Sequence, residues 1–364
     1  MQNNITIFSL NSYSIIDQSK ESVSTIGGSE KRLNYLANYL LSKGCSVSYI
    51  TYKNNVKNEK FTIIETYPVK NDLSYIYKIY TLLRAIRADK NSFYIYSTGS
   101  PGIMFLSRLL FRKKYVYLVS TDNILNYSDN NKMNKIKKIL IFLDVNFSSI
   151  IVAQNVKQYQ FFKDKKKNIL LIKNPIIQLK NCNISIINKK KNRRIVWVGS
   201  IRKVKQPHLI GDIAKKLEKY EFIIIGGKVD NELDYYQKFI RSIEGVKNIR
   251  YIGIKNNNEV IQYIQNSTFL LNTSEKEGFP NTFLEAWYNY TPIISLFVNP
   301  DNLLTDNEIG FYCNNSNLNT NFLDKIVNEK YDSYAKASHS YVKKNHSIEN
   351  FSELYTYIQQ YFEE

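Results

Sequence analysis

Cysteine, histidine, proline and glycine are all scarce in this chain, and each shortage narrows what it can be. Its 3 cysteines, Cys45, Cys182 and Cys313, are too few and too scattered to staple a secreted fold or to hold a zinc ion. The 3 histidines, His208, His339 and His346, form no H-x-x-x-H or H-E-x-x-H cluster, which disfavours a zinc hydrolase. With only 7 prolines and 13 glycines there is no sign of global disorder. No apolar run approaches the roughly 18 residues that cross a bilayer, and the N-terminus carries no basic-then-apolar leader. The expectation is a protein of the cytoplasm. No short tandem repeat is visible, which disfavours a solenoid or propeller. No G-x-G-x-x-G follows the first strand pattern either, which disfavours a nicotinamide dehydrogenase.

What the chain does have is apolar material and positive charge. Apolar residues make up 43% of 364 positions, with 29 tyrosines and 19 phenylalanines. That is enough for packed cores, and the length suits two domains. The net charge of +18 is unevenly placed. Residues 1–200 hold 32 Lys and Arg against 11 Asp and Glu, a net of +21, whereas residues 201–364 hold 18 against 21, a net of −3. A positive field of this strength attracts polyanions, so nucleic acid, anionic lipid headgroups and diphosphate-bearing substrates are all candidates. Nothing resembling a helix-turn-helix, a finger or a ribonucleoprotein signature supports the first of these.

The first half alternates apolar strand patterns with amphipathic helices. Ile5 to Leu10 reads as a strand; Leu33, Leu36, Ala37, Leu40 and Leu41 recur at helical spacing; Gly44 stops that helix and Cys45 to Ile50 is the next strand. Phe93 to Tyr96, Tyr115 to Val119, Ile150 to Val152 and Ile169 to Ile172 continue the alternation. The pattern predicts a mostly parallel sheet covered on both faces. Between about Asn174 and Arg194 it lapses into Pro, Asn and a lysine run, where we place an interdomain linker, residues 176–194. A second alternation follows over residues 195–345, with strands at Ile195 to Val198, Phe222 to Ile225, Arg250 to Ile252, Phe269 to Asn272 and Pro292 to Leu296. The last stretch, residues 346–364, puts Phe351, Leu354, Tyr355, Ile358 and Phe362 on one helical face with Ser347 available as N-cap. That tail can pack across the domain junction or on a single domain.

The segment richest in chemistry runs from Ser274 to Trp287. It follows an apolar strand and continues from Asn281 as a helix, so Gly278 and Pro280 fall in a strand-to-helix turn, the edge where open α/β sheets bind ligands. Amides at a helix start, helped by the helix dipole, suit a phosphate or sugar oxygens. Glu277 and Glu285 lie eight positions apart and can face one cleft, one gripping a hexose and the other a ribose. Spacing alone leaves open that Glu285 is a solvated helix residue and Glu277 a turn-stabilising acid. Arg202 and Lys205, just past the strand Ile195 to Val198, either neutralise a diphosphate or are ordinary loop cations.

Taken together, Glu277-Gly278-Phe279-Pro280 through Glu285-Ala286 resembles the signature of glycosyltransferase family 4, a retaining GT-B family of the group 1 type. Gly27-Gly28-Ser29-Glu30 resembles that family's N-terminal glycine loop, and Asn174-Pro175 its Asn-Pro before the linker. Trp197-Val198-Gly199 through Arg202 and Lys205, Ile225-Gly226-Gly227 and Tyr251-Ile252-Gly253 resemble its later strand ends. The resemblance implies two Rossmann-like domains facing across a cleft. It implies a donor site of Gly27, Gly28, Gly199, Arg202, Lys205, Gly227, Ile254, Glu277, Gly278, Phe279, Pro280, Asn281, Thr282 and Glu285. In it Glu285 holds the ribose, Glu277 and the amides after Gly278 hold the transferred sugar, Thr282 reaches the distal phosphate, and Arg202 and Lys205 take the diphosphate charge. The implied donor is a UDP-sugar, with no metal and no cofactor, and the implied acceptor a glycan or lipid-linked glycan of surface polysaccharide synthesis. Three departures stand out. Ser200 occupies the family's usual arginine place, Tyr290-Thr291-Pro292 lacks a usual glycine, and Val119-Ser120-Thr121-Asp122 stands where many members carry an acceptor-side histidine. Asp122 is either a polar substitute there or a helix cap. A GT-B epimerase or phosphorylase is the competing enzyme reading.

Finally, Met133, Ile136, Ile139, Leu140 and Leu143 form an apolar stripe crowded by Lys132, Lys135, Lys137 and Lys138, and Leu106 to Lys114 repeats the mixture. This pattern suits an anionic membrane surface, giving an expectation of peripheral attachment to the inner leaflet; an ordinary helix with a solvated basic face reads the same way.

Overall fold

The computed structural model describes residues 3–17, 27–69, 71–90, 93–97, 99–120, 122, 134–165, 168–176, 185–313 and 317–363. Two compact units divide them: one holds the described residues up to Pro175 and those from Ile348 onward, the other those of Ile176–Ser347.

The first unit is built on seven strands, β1 (Asn4–Phe8), β2 (Ser46–Lys53), β3 (Thr62–Pro68), β4 (Phe93–Tyr96), β5 (Lys114–Leu118), β6 (Ile150–Ala153) and β7 (Ile169–Leu171). They lie in the order β3-β2-β1-β4-β5-β6-β7, every neighbour parallel. Side-chain alternation divides the strands between two cores. Ile5, Ile7, Val116, Leu118 and Val152 face one, while Phe8, Tyr115, Tyr117 and Ile151 face the other. The strand β3 was not legible in the sequence, because only one of its residues is fully buried and its apolar signal is diluted by Thr and Glu.

The second unit repeats the plan with β8 (Arg194–Val198), β9 (Glu221–Ile225), β10 (Ile249–Gly253), β11 (Phe269–Asn272), β12 (Ile293–Ser295) and β13 (Gly310–Tyr312). Their order is β10-β9-β8-β11-β12-β13, again all parallel. Ile195, Trp197, Phe222 and Ile224 line one core, and Val196, Ile223, Ile225 and Leu270 the other. The edge strand β13 escaped the sequence reading because it is three residues long and mostly half-exposed.

The C-terminal tail belongs to the first unit. Phe351, Leu354 and Ile358 are fully buried in the same core as Ile5, Leu33, Leu36 and Tyr39. Its helix starts at Ser352, after a turn of 3-10 helix over Ile348–Phe351, so Ser347 precedes that turn rather than capping the helix.

The linker reading needs correction. Residues 177–184 lie outside the described residues, but Ile186–Asn192 is a helix capped by the Ser185 side chain. Lys189, the first of the lysine run, is almost fully buried. Its ammonium donates to the carbonyls of Ile264 and Ser267 and to Thr291 Oγ1 at 3.1, 3.2 and 2.7 Å. A run of like charges reads as solvated unless one member is known to turn inward, and nothing in the sequence marks which one. Burial pushes the Lys189 pKa down from 10.5 to about 7. Above pH 10.5 neither folded nor unfolded chain carries that proton, so its stabilising effect is complete there. As pH falls from 10.5 to 7 the unfolded chain takes up the proton first and stability is lost; below 7 the effect is flat. Denaturant unfolding of the native chain and Lys189→Met at pH 7 and pH 9 tests this: stability of the native chain relative to the variant is expected to rise with pH, and an unchanged difference contradicts the assignment.

Candidate functional site

The second sheet reverses its winding direction beside β8. The chain steps outward from β8 to β9 to β10, then returns to place β11 on the other side of β8. Connections leaving the C-terminal ends of β8 and β11 therefore depart in opposite directions, and such a switch point is where open α/β sheets form a crevice. The residues after β8 and after β11 are those singled out in the sequence.

These two loops are stitched together. The Glu275 amide donates to the Val204 carbonyl at 2.8 Å, and Thr273 Oγ1 donates to the Lys205 carbonyl at 2.6 Å. Trp197 Nε1 in turn donates to Thr273 Oγ1 at 2.9 Å. Thr273 is fully buried, so this hydroxyl fixes the backbone of Lys205 against the strand that leads to Glu277. The sequence reading missed that role; the one available signal was a buried tryptophan needing an acceptor for its N–H.

On that frame the Lys205 ammonium donates directly to Glu277 Oε1. Both side chains are largely shielded from solvent, 28% and 16% exposed, which strengthens the attraction over a surface pair. Arg202 is turned differently. Its Nε lies 3.5 Å from Glu232 Oε1, and the other Glu232 oxygen accepts from the Lys203 amide at 2.5 Å. The sequence grouped Arg202 with Lys205; the structure brings Lys205 to Glu277 and gives Arg202 to Glu232. A pair as exposed as Arg202 and Glu232 contributes on the order of 1 kcal/mol or less, so an incoming anion can take the guanidinium over.

The helix Asn281–Tyr288 has Pro280 as its N-cap. Proline offers no side-chain acceptor, so no side chain caps the first turn, and the Phe283 amide donates instead to the Pro280 carbonyl at 3.0 Å. Asn281, Thr282 and Glu285 share one side of this helix by i, i+3 and i+4 spacing. Asn281 and Thr282 are half-buried and Glu285 is 7% exposed, which corrects the reading of Glu285 as a solvated helix residue. Phe283, Leu284 and Trp287 fill the core on the other sides, and Trp287 Nε1 donates to the Ile309 carbonyl at 2.7 Å. The Phe279 side chain is core as well, packed against Trp287 and His346, so only its backbone is left for a ligand.

Close backbone approach explains the glycines at the strand ends. A Cβ on Gly226 would lie 1.7 Å from the Gly199 carbonyl oxygen, so no other residue fits. The Gly199 amide donates to the Ile225 carbonyl at 3.0 Å and the Ile201 amide to the Gly227 carbonyl at 2.8 Å, pinning the ends of β8 and β9. Gly227 is in turn covered by the side chain of Ile254, which is itself 41% exposed just past β10.

The remaining candidates lie in the first unit. Gly27 is the N-cap of the helix Gly28–Ser42, and a Cβ there would meet the carboxylate of Glu30 at 2.1 Å. Asp122 accepts from Asn155 Nδ2 at 3.2 Å and Gln158 Nε2 at 2.8 Å, with Lys157 at 3.9 Å. Its carboxylate is thus held at the start of the helix Val156–Lys163.

With this geometry in view, residues 180–344 match the family model described as glycosyl transferases group 1. Residues 180–344 are of the group 1 type, and the chain is a glycosyltransferase. The glycosyltransferase is 24% identical over 354 residues to the O-antigen biosynthesis glycosyltransferase WbnH of Escherichia coli, covering 92% of this chain and 96% of that one. Its fold is GT-B. It is similar to sucrose-phosphate synthase of Thermosynechococcus elongatus (TM-score 0.81, 13% identity, all of both chains) and to HepE of Anabaena in complex with UDP and glucose (TM-score 0.74, 12% identity, 99% and 100% of the two chains). At such identities the two structures speak for the fold alone.

Proposed function

We propose that this glycosyltransferase moves a sugar from a UDP-activated donor to a growing surface glycan, with retention of configuration and without a metal ion. The observation that carries the reading is the Lys205–Glu277 pair beside the start of the helix Asn281–Tyr288, at the switch point between β8 and β11. A diphosphate entering there takes the Lys205 ammonium and the Thr282 amide. Glu277 is released to accept hydrogen bonds from hydroxyls of the transferred sugar, and buried Glu285 accepts from the ribose hydroxyls. Arg202 leaves Glu232 to add a second positive charge. Gly199, Gly227, Gly278 and the backbone of Phe279, Pro280 and Asn281 shape the wall, and Ile254 lies under the base. Lysine and the helix dipole thus take the role a divalent cation plays elsewhere. The bond from the anomeric carbon to the diphosphate oxygen breaks, the acceptor oxygen bonds to that carbon on the same face, and the departing phosphate takes the acceptor proton.

Support for the acceptor class comes from WbnH, named for O-antigen biosynthesis; HepE, which shares the fold, was solved with UDP and glucose. A lipid-linked acceptor also accords with peripheral attachment to an anionic membrane through the helix Lys135–Asn146, although no helix among the described residues is long and apolar enough to cross one. Lys132 and Met133 of that stripe lie outside the described residues.

A thermal-shift screen of nucleoside diphosphates and their sugars tests the donor reading. Because a ligand stabilises by RT ln(1 + [L]/Kd), a concentration about 100 times Kd adds roughly 2.7 kcal/mol and raises Tm visibly. UDP and UDP-sugars are expected to do so and UMP much less; equal response to every nucleotide, or none, contradicts it.

A further inference from the structure

We infer that three neighbouring helices of the first unit, Tyr75–Ala88, Ile103–Phe111 and Lys135–Asn146, form one continuous docking surface for an anionic lipid bilayer. This deepens the membrane attachment proposed above, which rested on the last two segments, by adding the tyrosine-rich first helix.

An amphipathic helix on a globular protein turns its apolar stripe inward and its polar face to water. These three expose apolar side chains as well. Tyr75, Ile76, Tyr77 and Tyr80 are 64%, 80%, 49% and 57% exposed; Leu109 and Leu110, 67% and 56%; Ile136, Ile139 and Phe142, 64%, 58% and 55%. Nine of the 17 strongly exposed large apolar residues among the described residues thus fall on three helices, a concentration that marks an interaction surface rather than scattered exposure. The inner faces are used normally: Leu82 and Ile86, Ile103 and Met104, and Val145 are buried.

The helices are joined into one plate. The first packs on the second and the second on the third. Asp144 of the third helix accepts from the amides of Gly102 and Phe105, at 2.6 and 2.9 Å, and so caps the second. Burial raises the Asp144 pKa to about 7, and this is the single carboxylate in all three helices; it points inward.

Charge decides the occupant. The three helices carry Lys78, Arg84, Arg87, Arg108, Lys135, Lys137 and Lys138 and no exposed acid. A second copy docked through the same patch would set cation against cation. A nucleic acid would satisfy the cations but leave Leu109, Leu110, Ile136 and Ile139 in water. An anionic membrane meets both demands: phosphates for the cations, an acyl boundary for the aliphatic residues, and the headgroup layer for tyrosines, whose apolar ring and polar tip favour that depth.

Co-sedimentation of the full chain with vesicles of phosphatidylcholine alone, and of phosphatidylcholine mixed with phosphatidylglycerol, tests the inference. Binding is expected only to the mixed vesicles and to weaken with salt. The exposed double variants Ile76→Ser/Tyr80→Ser, Leu109→Ser/Leu110→Ser and Ile136→Ser/Ile139→Ser are each expected to reduce partitioning by roughly tenfold or more. Native-like binding by the Ile76→Ser/Tyr80→Ser variant removes the first helix from the surface and overturns the three-helix assignment, and equal binding to neutral vesicles overturns the role of charge. Absence of vesicle binding together with a self-associated native chain that these variants dissociate assigns the patch to a second copy instead. UDP stabilisation, measured on the same samples, should be unaltered by all three variants. Its absence from the native chain would refute the donor reading without touching this one.

Discussion

Replacing Lys205 by alanine is expected to lower kcat by about 10²- to 10³-fold, the loss found when one preorganised donor to a developing oxyanion is removed, on the order of 2.7–4 kcal/mol. In a nucleotide-sugar donor the diphosphate charge is shared with the sugar bond; as that bond breaks, the leaving nucleoside diphosphate becomes more negative, so an ammonium placed beside it stabilises the transition state more than the bound substrate. Before the donor arrives that ammonium is held by Glu277, over a frame fixed by the Thr273 hydroxyl. The pair keeps both groups pointed at the crevice with their charges compensated. The Lys205→Ala variant therefore loses the cation and also leaves Glu277, 16% exposed, without its partner. Lys205→Arg should recover part of the rate, since charge returns but a planar fork does not reproduce a compact ammonium. Steady-state kinetics with a UDP-sugar decide it; a kcat within a factor of about three of the native value in Lys205→Ala would remove the lysine from the chemistry.

Glu285→Gln should weaken UDP binding by about tenfold or more, while inorganic pyrophosphate binding stays as in the native chain. A carboxylate accepting from two vicinal hydroxyls makes two charge-assisted hydrogen bonds, each worth roughly 1.5–3 kcal/mol, and the neutral amide has a single acceptor oxygen to offer. Glutamine is the informative replacement because Glu285 is buried and shortening it to alanine would add a cavity to the measured effect. Lys205→Ala should behave in the opposite way, losing affinity for pyrophosphate as well as for UDP. Titration calorimetry of both ligands against both variants separates a ribose contact from a phosphate contact. Equal loss of both ligands in Glu285→Gln would make Glu285 a general support of the fold rather than a ribose acceptor.

Much of this arrangement is legible in the sequence because parallel sheets bury both faces and their strands read as apolar runs. Ile195 to Val198, Phe222 to Ile225 and Phe269 to Asn272 stand out for that reason, and the loops that follow them carry Gly199, Gly227 and Glu277. The two-domain plan and the group 1 type followed from the same segments. Illegible were features that depend on contacts distant in the chain. Lys189 reads as part of a solvated lysine run, yet three oxygens from residues 264, 267 and 291 draw it inside. Arg202 sits at a position suited to phosphate binding, but Glu232, 30 residues away, engages it. Phe279 belongs to the motif by its backbone, its ring being committed to Trp287 and His346. The exposed tyrosines of Tyr75–Ala88 went unread because the apolar positions of that helix occupy both its inner and its outer face, which blurs the helical period.

In the proposed function a nucleoside diphosphate displaces Glu277 from Lys205 at the start of the helix Asn281–Tyr288. A crystal structure of the chain soaked with UDP tests it most directly. Diphosphate oxygens are expected within hydrogen-bonding distance of Lys205 Nζ and of the Thr282 amide, with the ribose against Glu285 and Glu277 turned away from the lysine. UDP bound elsewhere, with the Lys205–Glu277 pair intact, would contradict it.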